Sequence, residues 1–511
     1  MGEDSIVAVI DVGSTAIRLV IAEIHPDGEW KMLDRASRPV NLGRDVFLTG
    51  NISRETMSQS FQILSSFVEA LKGWKISREN VHVVATSAMR EARNRDTFTD
   101  RVKLQMGFLI NTIEGIEENR LTYIAVRHSL RDAHLRFGQL HSIIIEVGGG
   151  STEIMLLKQG KIVAAHSMSI GTVRIEQQIK SIFGSTDYLN QFLTENIRAA
   201  GDIIDIEFKM KKIRNFIAVG GDTRLAARIV GTKGGEHFWV IEKQSFDSFI
   251  KQLKGLSVDD CVHKFQIPYN EAEGLTPALL IYQSFMEKTS ATRLIVPDVS
   301  IREGLLLSLA SEPDPKIQQE FNSQVIASAV SLGRKYYFDE AHARQVTKLA
   351  LSLFDQLQEA HGLDRFSRLL LEVAALVHDI GTYVRFTGHH KHGQYIVANS
   401  DVFGLHWDDI RIVSNVVRYH RKALPLPSHI EYISLPRERR IVVSKLASIL
   451  RVADALDKGH MQRIKKVEVE IKGDELLIHN SHTGDISIER YGLARKADMM
   501  EEVFGLKVVL L

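Results

Sequence analysis

One scheme occurs twice in this chain and constrains its fold more than any other feature. Residues 6–12 read Ile-Val-Ala-Val-Ile-Asp-Val, a β-branched run that ends on an acid, and Gly13-Ser14-Thr15 makes a turn into a second strand pattern at 17–22. Residues 143–147 read Ile-Ile-Ile-Glu-Val, followed by Gly148-Gly149-Gly150-Ser151-Thr152 and a strand pattern at 153–157. Apolar strand, acid, Val, Gly, Ser-Thr, apolar strand is the order in both. Such self-similarity predicts a duplicated domain whose two turns line one cleft. Helical stretches between strands, at 54–71 and 117–137, put helices against the sheets and make the class α/β.

The character changes from about Pro313. Val346, Leu349, Ala350, Leu353, Phe354 and Leu357 follow the i, i+3, i+4, i+7 spacing of an amphipathic helix, and 369–377 and 441–456 read the same way. Glu312-Pro313-Asp314-Pro315 breaks any helix and marks a boundary at 311–316. Alternating strands at 467–471 and 476–479 close the chain. The expected division is 1–125, 126–312, an all-helical 313–460, and a small α+β tail at 461–511.

Gly-rich turns between strands present backbone N–H groups unobstructed by side chains, and such nests bind phosphate oxygens. One such run alone is as readily a tight β-turn; two in one scheme favour a grip on a phosphate chain. Asp11 and Glu146 end their strands at the turn mouths, Glu153 follows Ser151-Thr152, and Glu117-Glu118 begins a helix after the strand pattern at 109–113. Carboxylates beside an anion site repel the anion, so they make sense as Mg²⁺ ligands or as bases for water. The competing reading of each is a solvated or helix-N-terminal charge, and for Glu117 that reading is the stronger one.

Charge bears on the partner. The 511 residues carry a formal net charge of +1, so no whole-molecule field draws the chain to nucleic acid or to a membrane. A polyanion would have to be held by a local patch. The single cysteine, Cys261, fits a reducing compartment. The opening Met1-Gly-Glu-Asp lacks a signal-peptide pattern, and no stretch has the roughly 18 apolar residues of a membrane span. The cytoplasm is the expected location.

Asp11-Val-Gly-Ser-Thr, Ala85-Thr-Ser-Ala-Met-Arg90-Glu-Ala, Gly115-Ile-Glu-Glu118-Asn-Arg120-Leu, Glu146-Val-Gly-Gly-Gly-Ser-Thr-Glu153 and Ile301-Arg302-Glu-Gly304 stand in one order. In this the chain resembles the exopolyphosphatase and guanosine-pentaphosphate phosphatase (Ppx/GppA) family, over roughly its whole length. The resemblance implies a duplicated ribonuclease-H-like fold, as in actin and sugar kinases. It makes Glu118 the base that activates water and Glu153 an acid that holds Mg²⁺ or the water. Asp11 and Glu146 become further Mg²⁺ ligands. Gly13, Ser14, Thr15, Gly148, Gly149, Gly150, Ser151, Thr152 and Gly221 become the phosphate-binding turns, with Arg90, Arg18 and Arg302 as phosphate or substrate contacts. Arginine suits this work because its planar fork pairs with two oxygens. A homodimer is also implied. The chain departs from the family pattern in Glu146 for Asp, in Thr15-Ala16 for Asn-Ser, and in Asp222 within Gly220-Gly221-Asp222-Thr223.

The helical part carries His342, His378-Asp379, then His389, His390, His392, His420 and Asp454. This resembles the ligand order of HD-type metal-dependent phosphohydrolases. His342, His378, Asp379 and Asp454 are the expected ligands of a transition metal or of a two-metal site, against the alternative of a remnant that binds none. For His420, the neighbouring Arg418, Arg421 and Lys422, with Arg437, Arg439 and Arg440, allow a second reading as a basic patch along a polyphosphate path.

The leading function is a Mg²⁺-dependent exopolyphosphatase that releases orthophosphate from inorganic polyphosphate, with guanosine pentaphosphate as a further substrate. Two alternatives stand beside it: an HD-type nucleotide phosphohydrolase with its chemistry at His378-Asp379, and a non-catalytic alarmone or polyphosphate sensor.

Overall fold

In the computed structural model, which describes all residues except 1–4, 26–29, 132, 134–138, 183–194, 196–207, 312–314 and 481–483, the chain divides into two units, Met1–Gln319 and Glu320–Leu511. The opening Met1-Gly-Glu-Asp, residues 134–137 of the second predicted helix and most of the break at 312–315 lie outside the described residues.

The first repeated motif is a hairpin. β1 (Ser5–Val12) pairs antiparallel with β2 (Ala16–Ile24), which pairs antiparallel with β3 (Trp30–Pro39). β4 (Val81–Ala85) joins β1 in parallel, and β5 (Ile110–Thr112) joins β4, giving the order β3-β2-β1-β4-β5. The second motif repeats this plan. β6 (His141–Val147) pairs with β7 (Thr152–Lys158), β7 with β8 (Lys161–Met168), and β9 (Ile213–Val219) joins β6 in parallel. β10 (Thr232–Lys233), β11 (Phe238–Glu242) and β12 (Arg293–Pro297) complete the order β10-β11-β12-β9-β6-β7-β8. Since β12 lies parallel to β9, β8-β7-β6-β9-β12 copies β3-β2-β1-β4-β5 in order and direction. The duplication read from two short motifs is a duplication of topology.

Each sheet is buried between helices, which is why its central strands are continuous apolar runs rather than alternating ones. Ala8, Val9, Ile10, Ile143, Ile144 and Ile145 are wholly buried. Helix Arg54–Gly73 starts at an N-cap where Ser53 accepts from the Thr56 N–H. The helix expected at 117–137 spans Gly115–Ser129 instead. Two helices cross the nominal halves. Leu306, on helix Ile301–Ser311, packs with Val7, Val9, Val20 and Ala22 of the first sheet. Leu121 of helix Gly115–Ser129 packs with Val84, Ile113 and Ile301.

The second unit is helical, with one core. Val346, Leu349, Leu353, Leu371, Val377, Val413, Val417, Leu446 and Leu450 are buried together with Val467, Leu476, Ile478 and Met500 of the tail. The tail strands β13 (Val467–Lys472) and β14 (Glu475–Asn480) gain a third, β15 (Lys507–Leu510), that the sequence pattern did not reveal. No helix among the described residues is long and apolar enough to cross a membrane.

Candidate active site

Backbone hydrogen bonds close the two glycine turns. The Gly13 N–H donates to Ala16 O over 3.1 Å and the Gly148 N–H to Ser151 O over 2.9 Å. The turns lie against each other. A Cβ built on Gly149 would sit 2.9 Å from Ser14 Cβ, and one on Gly150 would sit 2.5 Å from Ser87 Oγ and overlap Phe47. Only glycine allows this approach. Ser14 Oγ lies 3.2 Å from Ser87 Oγ, so the Thr86-Ser87 segment joins the same wall. Thr152 does not present its hydroxyl to the cleft: it is fully buried and donates to Ile170 O over 2.6 Å. Arg174, which the motifs did not flag, holds the Gly150 carbonyl at 2.7 Å and lies over the Phe47 ring.

Helix Gly115–Ser129 positions the acids. Its Glu118 faces the first half, where Arg90 Nη1 donates to Glu118 Oε1 at 2.7 Å and to Ile113 O at 2.6 Å. Asn119 and Thr122, three residues apart and so on one helix face, turn to the second half. Asn119 Nδ2 donates to Glu153 Oε2 at 3.3 Å, and Thr122 Oγ1 hydrogen-bonds Glu146. Ser167 Oγ donates to the other oxygen of Glu153 at 2.7 Å. Glu117 points elsewhere and forms a bidentate pair with Arg120 at 2.6 Å.

Burial raises the pKa of Glu118, with Arg90 opposing and Asp11 adding to the rise. Burial and then Glu118 push Glu153 well up. Glu146 is pushed up to about 7 by burial, against its bond from Thr122 and with a further rise from Glu118. In each of the three, a neighbouring carboxylate adds to the rise that burial causes. No three of their oxygens converge within 4.8 Å among the described residues. A Mg²⁺ ion keeps waters and takes only one or two carboxylates plus substrate phosphates, so it is an ion that Asp11, Glu146 or Glu153 could hold.

Arg18 lies 3.8 Å from Asp11, and its charge is disfavoured first by burial and then, against the pull of Asp11, by Arg302 and Arg224. Arg302 and Arg224 thus lie near enough to Arg18 to oppose its charge, and Arg224 Nε also pairs with Asp298 at 3.5 Å. Arg302 Nε donates to Ser300 Oγ at 3.1 Å and Arg224 Nη1 to Val299 O at 2.6 Å, leaving other donors on each. Gly221 begins a helix, Gly221–Val230, with open space over its Cα. Asp222 in its first turn is pushed up to about 6 by burial and by Glu271.

In the second unit, His342, His378, Asp379 and Asp454 come together. His342 Nε2 lies 3.9 Å from Asp379 Oδ2 and 3.7 Å from Asp454 Oδ1, and His378 Nε2 lies 3.6 Å from Asp379 Oδ2. Lys496 pairs with Asp454. His420 is also here, fully buried, and is no part of a surface basic patch; Arg439 meanwhile pairs with Asp408 and Asp409.

Two sheets of one topology, meeting at their glycine turns, form the actin-like arrangement, and the donors and acids between them are those of a phosphate-handling enzyme. The Ppx/GppA phosphatase family profile matches residues 20–312, and that of Ppx/GppA phosphatase, domain III, matches 326–485. A guanosine-5'-triphosphate,3'-diphosphate pyrophosphatase of Pseudoalteromonas translucida is 25% identical over 432 residues, 83% of this chain and 82% of the relative. That of Pseudoalteromonas atlantica is 24% identical over 463 residues, 88% of this chain and 86% of the relative. The crystal structure of the Aquifex aeolicus Ppx/GppA family member matches with a TM-score of 0.50 and 26% identity, over 61% of this chain and 99% of that one. An exopolyphosphatase structure from Cytophaga hutchinsonii shares the fold, with a TM-score of 0.54 and 19% identity over 60% of this chain and 98% of that one. The chain belongs to the Ppx/GppA phosphatase family and is a phosphoanhydride hydrolase.

Proposed function

We propose that the chain hydrolyses the terminal phosphoanhydride of inorganic polyphosphate or of the 5′ chain of guanosine pentaphosphate, the latter on the pattern of the relatives' names. The observation that carries this is the pairing of two Gly-Ser-Thr turns, so close that a Cβ on Gly149 would sit 2.9 Å from Ser14 Cβ, beside the Arg90–Glu118 pair. The N–H groups of Ser14, Thr15, Gly149 and Gly150 make no turn or loop hydrogen bond to another backbone group among the described residues, and in this reading they serve the phosphoryl oxygens. Arg18, Arg224 and Arg302 receive the rest of the polyanion. Asp11, Glu146 and Glu153 would hold Mg²⁺, which supplies charge neutralisation of the phosphates.

Arg90 has two roles in sequence. It holds Glu118 at 2.7 Å in the free enzyme, and an incoming phosphate competes for the same guanidinium. Engaged by phosphate, Arg90 withdraws its stabilising charge from Glu118, whose basicity rises where the water must lose its proton. The in-line attack forms a P–O bond from that water and breaks the anhydride P–O bond.

This reading includes a homodimer, a cytoplasmic setting and an HD-like helical unit with a transition metal on His342, His378, Asp379 and Asp454. The test is orthophosphate release, with Mg²⁺, from long-chain polyphosphate and separately from guanosine pentaphosphate. Release from neither, with tight binding of either, would establish a sensor instead.

Two further outcomes follow from the electrostatics. Because Arg90 lowers the Glu118 pKa against burial, Arg90→Met removes the lowering and the acid limb of kcat/KM moves to higher pH, with kcat/KM down at least tenfold at neutral pH. An unmoved limb would show that Glu118 is not the titrating base. Asp222 has its pKa raised from 3.8 to about 6. Its neutral form is favoured by folding, so the stability it contributes is full below about pH 4 and is lost as pH rises through 6, at most about 3 kcal/mol. Asp222→Asn is expected to keep that stability above pH 6, read as a higher urea midpoint at pH 8 and an unchanged one near pH 4.

A further inference from the structure

The two glycine turns close alike, Gly13 N–H on Ala16 O and Gly148 N–H on Ser151 O, so Ser14 and Thr15 correspond to Gly149 and Gly150. In the first half, backbone N–H groups hold the carbonyls of that pair. Gly43 N–H donates to Ser14 O over 2.8 Å and Val40 N–H to Thr15 O over 3.0 Å. In the second half, the start of helix Thr172–Ile182 holds the earlier carbonyls. Thr172 N–H donates to Gly148 O over 3.0 Å and Val173 N–H to Gly149 O over 2.9 Å. Gly150 O, the counterpart of Thr15 O, is taken by a side chain instead, Arg174 Nε at 2.7 Å.

A trans peptide points its C=O and the next N–H in opposite senses. Three consecutive carbonyls captured on the side of helix Thr172–Ile182 therefore turn the N–H groups of Gly149, Gly150 and Ser151 the other way. The turn lies hard against that helix start: a Cβ on Gly171 would sit 2.5 Å from the Gly149 carbonyl carbon and oxygen. Like its two neighbours, Ser151 N–H makes no turn or loop hydrogen bond to another backbone group among the described residues. Its aim is set by one removable side chain.

Arg174 is itself fixed by the first half. Its Nη2 pairs with Glu91, at the end of helix Ser87–Glu91, and its guanidinium carbon lies 4.1 Å from the centre of the Phe47 ring. One guanidinium thus serves two acceptors in two directions, which a planar fork allows and a single ammonium does not. The same helix has a second tie to the first half, since Arg44 pairs with Glu176 at 2.9 Å. Altering Arg174 therefore leaves the two halves joined.

We infer, on the reading of the cleft as the site of hydrolysis, that Arg174 is a positioning residue for phosphoryl transfer. It aims the Ser151 N–H, a further donor to the transferred phosphoryl group, as Val40 N–H fixes the matching peptide of the first turn. Preset donors act most where charge develops in the transition state, so losing their aim lowers kcat more than it raises KM. A guanidinium that only attracted a polyanion would act on KM.

The test compares the full native chain with Arg174→Met and Arg174→Lys for orthophosphate release, with Mg²⁺, from long-chain polyphosphate and from guanosine pentaphosphate. Removing one preset donor costs about 10²–10³-fold in kcat, and both variants are expected to fall about 10²-fold with KM within about threefold of native. Lysine keeps the charge beside Glu91 but cannot hold the Gly150 carbonyl as well. Native kcat in Arg174→Lys, or a raised KM with unchanged kcat in either variant, makes Arg174 a polyanion contact and overturns the inference. So does a kcat loss under about tenfold in both, well short of the cost of a lost donor. A crystal structure of Arg174→Met is expected to show the Gly150 carbonyl rotated from its present bearing, and an unmoved carbonyl overturns the inference. Where the methionine variant does not fold, the lysine variant and its structure decide. The carbonyl readout stands even if the native chain releases no orthophosphate, an outcome that would sink the proposed activity and not the aim of the turn.

Discussion

Glu118→Gln is expected to lower kcat for orthophosphate release about 10³-fold while leaving substrate binding within a fewfold of native. The change is isosteric. Glutamine keeps a carbonyl oxygen for the Arg90 hydrogen bond, now 2.7 Å long, and so preserves the position of helix Gly115–Ser129. What it loses is the ability to take a proton. General-base removal costs typically 10²–10⁴-fold, and here the group is buried and raised in pKa by that burial, which places it at the strong end as a base. In the proposed reaction, binding rests on backbone donors and on Arg18, Arg224 and Arg302, which the substitution does not touch. The charge that Arg90 no longer shares with Glu118 should, if anything, strengthen binding. Single-turnover release and calorimetric binding separate the two quantities. A loss under tenfold would remove Glu118 from the chemistry and direct attention to Glu153, a more deeply buried acid of the cleft. Unchanged release by Glu118→Gln, combined with loss in His378→Asn, would move catalysis to the helical unit.

The legible part of this fold was its strands with continuous burial. β1, β2, β6 and β7 are β-branched because both sheet faces are covered, so they announce themselves, and the repeated acid and glycine turn at their ends gave the cleft. β3 was not legible: Trp30–Pro39 is largely exposed, carries Lys31, Asp34, Arg35 and Arg38, and is held by backbone pairing to β2, which leaves no periodic apolar signal. The charged members of the site could be read by type, yet their partners could not. Asn119, Thr122 and Ser167 matter because a helix from one half meets strands from the other, and nothing local in the sequence records that meeting. Arg90 could be read as a phosphate ligand, but its resting pair with Glu118 depends on a tertiary approach. His420 was within reach of the sequence. Val413, Val416, Val417 and His420 follow the i, i+3, i+4, i+7 spacing of a buried helix face, and the charged neighbours Arg418, Arg421 and Lys422 concealed it.

Gly304→Ala is expected to destabilise the first unit by about 1–3 kcal/mol and to lower kcat by about 10²-fold, although residue 304 has no contact with substrate in the proposed reaction. The reason is distance. Helix Ile301–Ser311 crosses helix Gly115–Ser129 so closely that a Cβ at 304 would overlap the Leu121 carbonyl oxygen and lie 2.6 Å from its carbon. The obstacle is backbone, which cannot rotate away, so the two helices must part. Overpacking of this kind costs about 1–3 kcal/mol. Glu118 and Asn119 precede Leu121 on the helix that moves, and Thr122 follows it. Displacing them shifts the base relative to Arg90 and loosens the holds on Glu146 and Glu153 together. A misplacement of about 1 Å is enough for about a 10²-fold loss. Gly73→Ala is the control: its Cβ would meet nothing within 4 Å at the end of helix Arg54–Gly73, and alanine there should be neutral or stabilising by up to about 1 kcal/mol. Urea unfolding of both variants and kcat under saturating substrate measure the contrast. Equal behaviour of the two would mean that the close crossing at Gly304 does not position the acids, and that the cleft is set by the sheets alone.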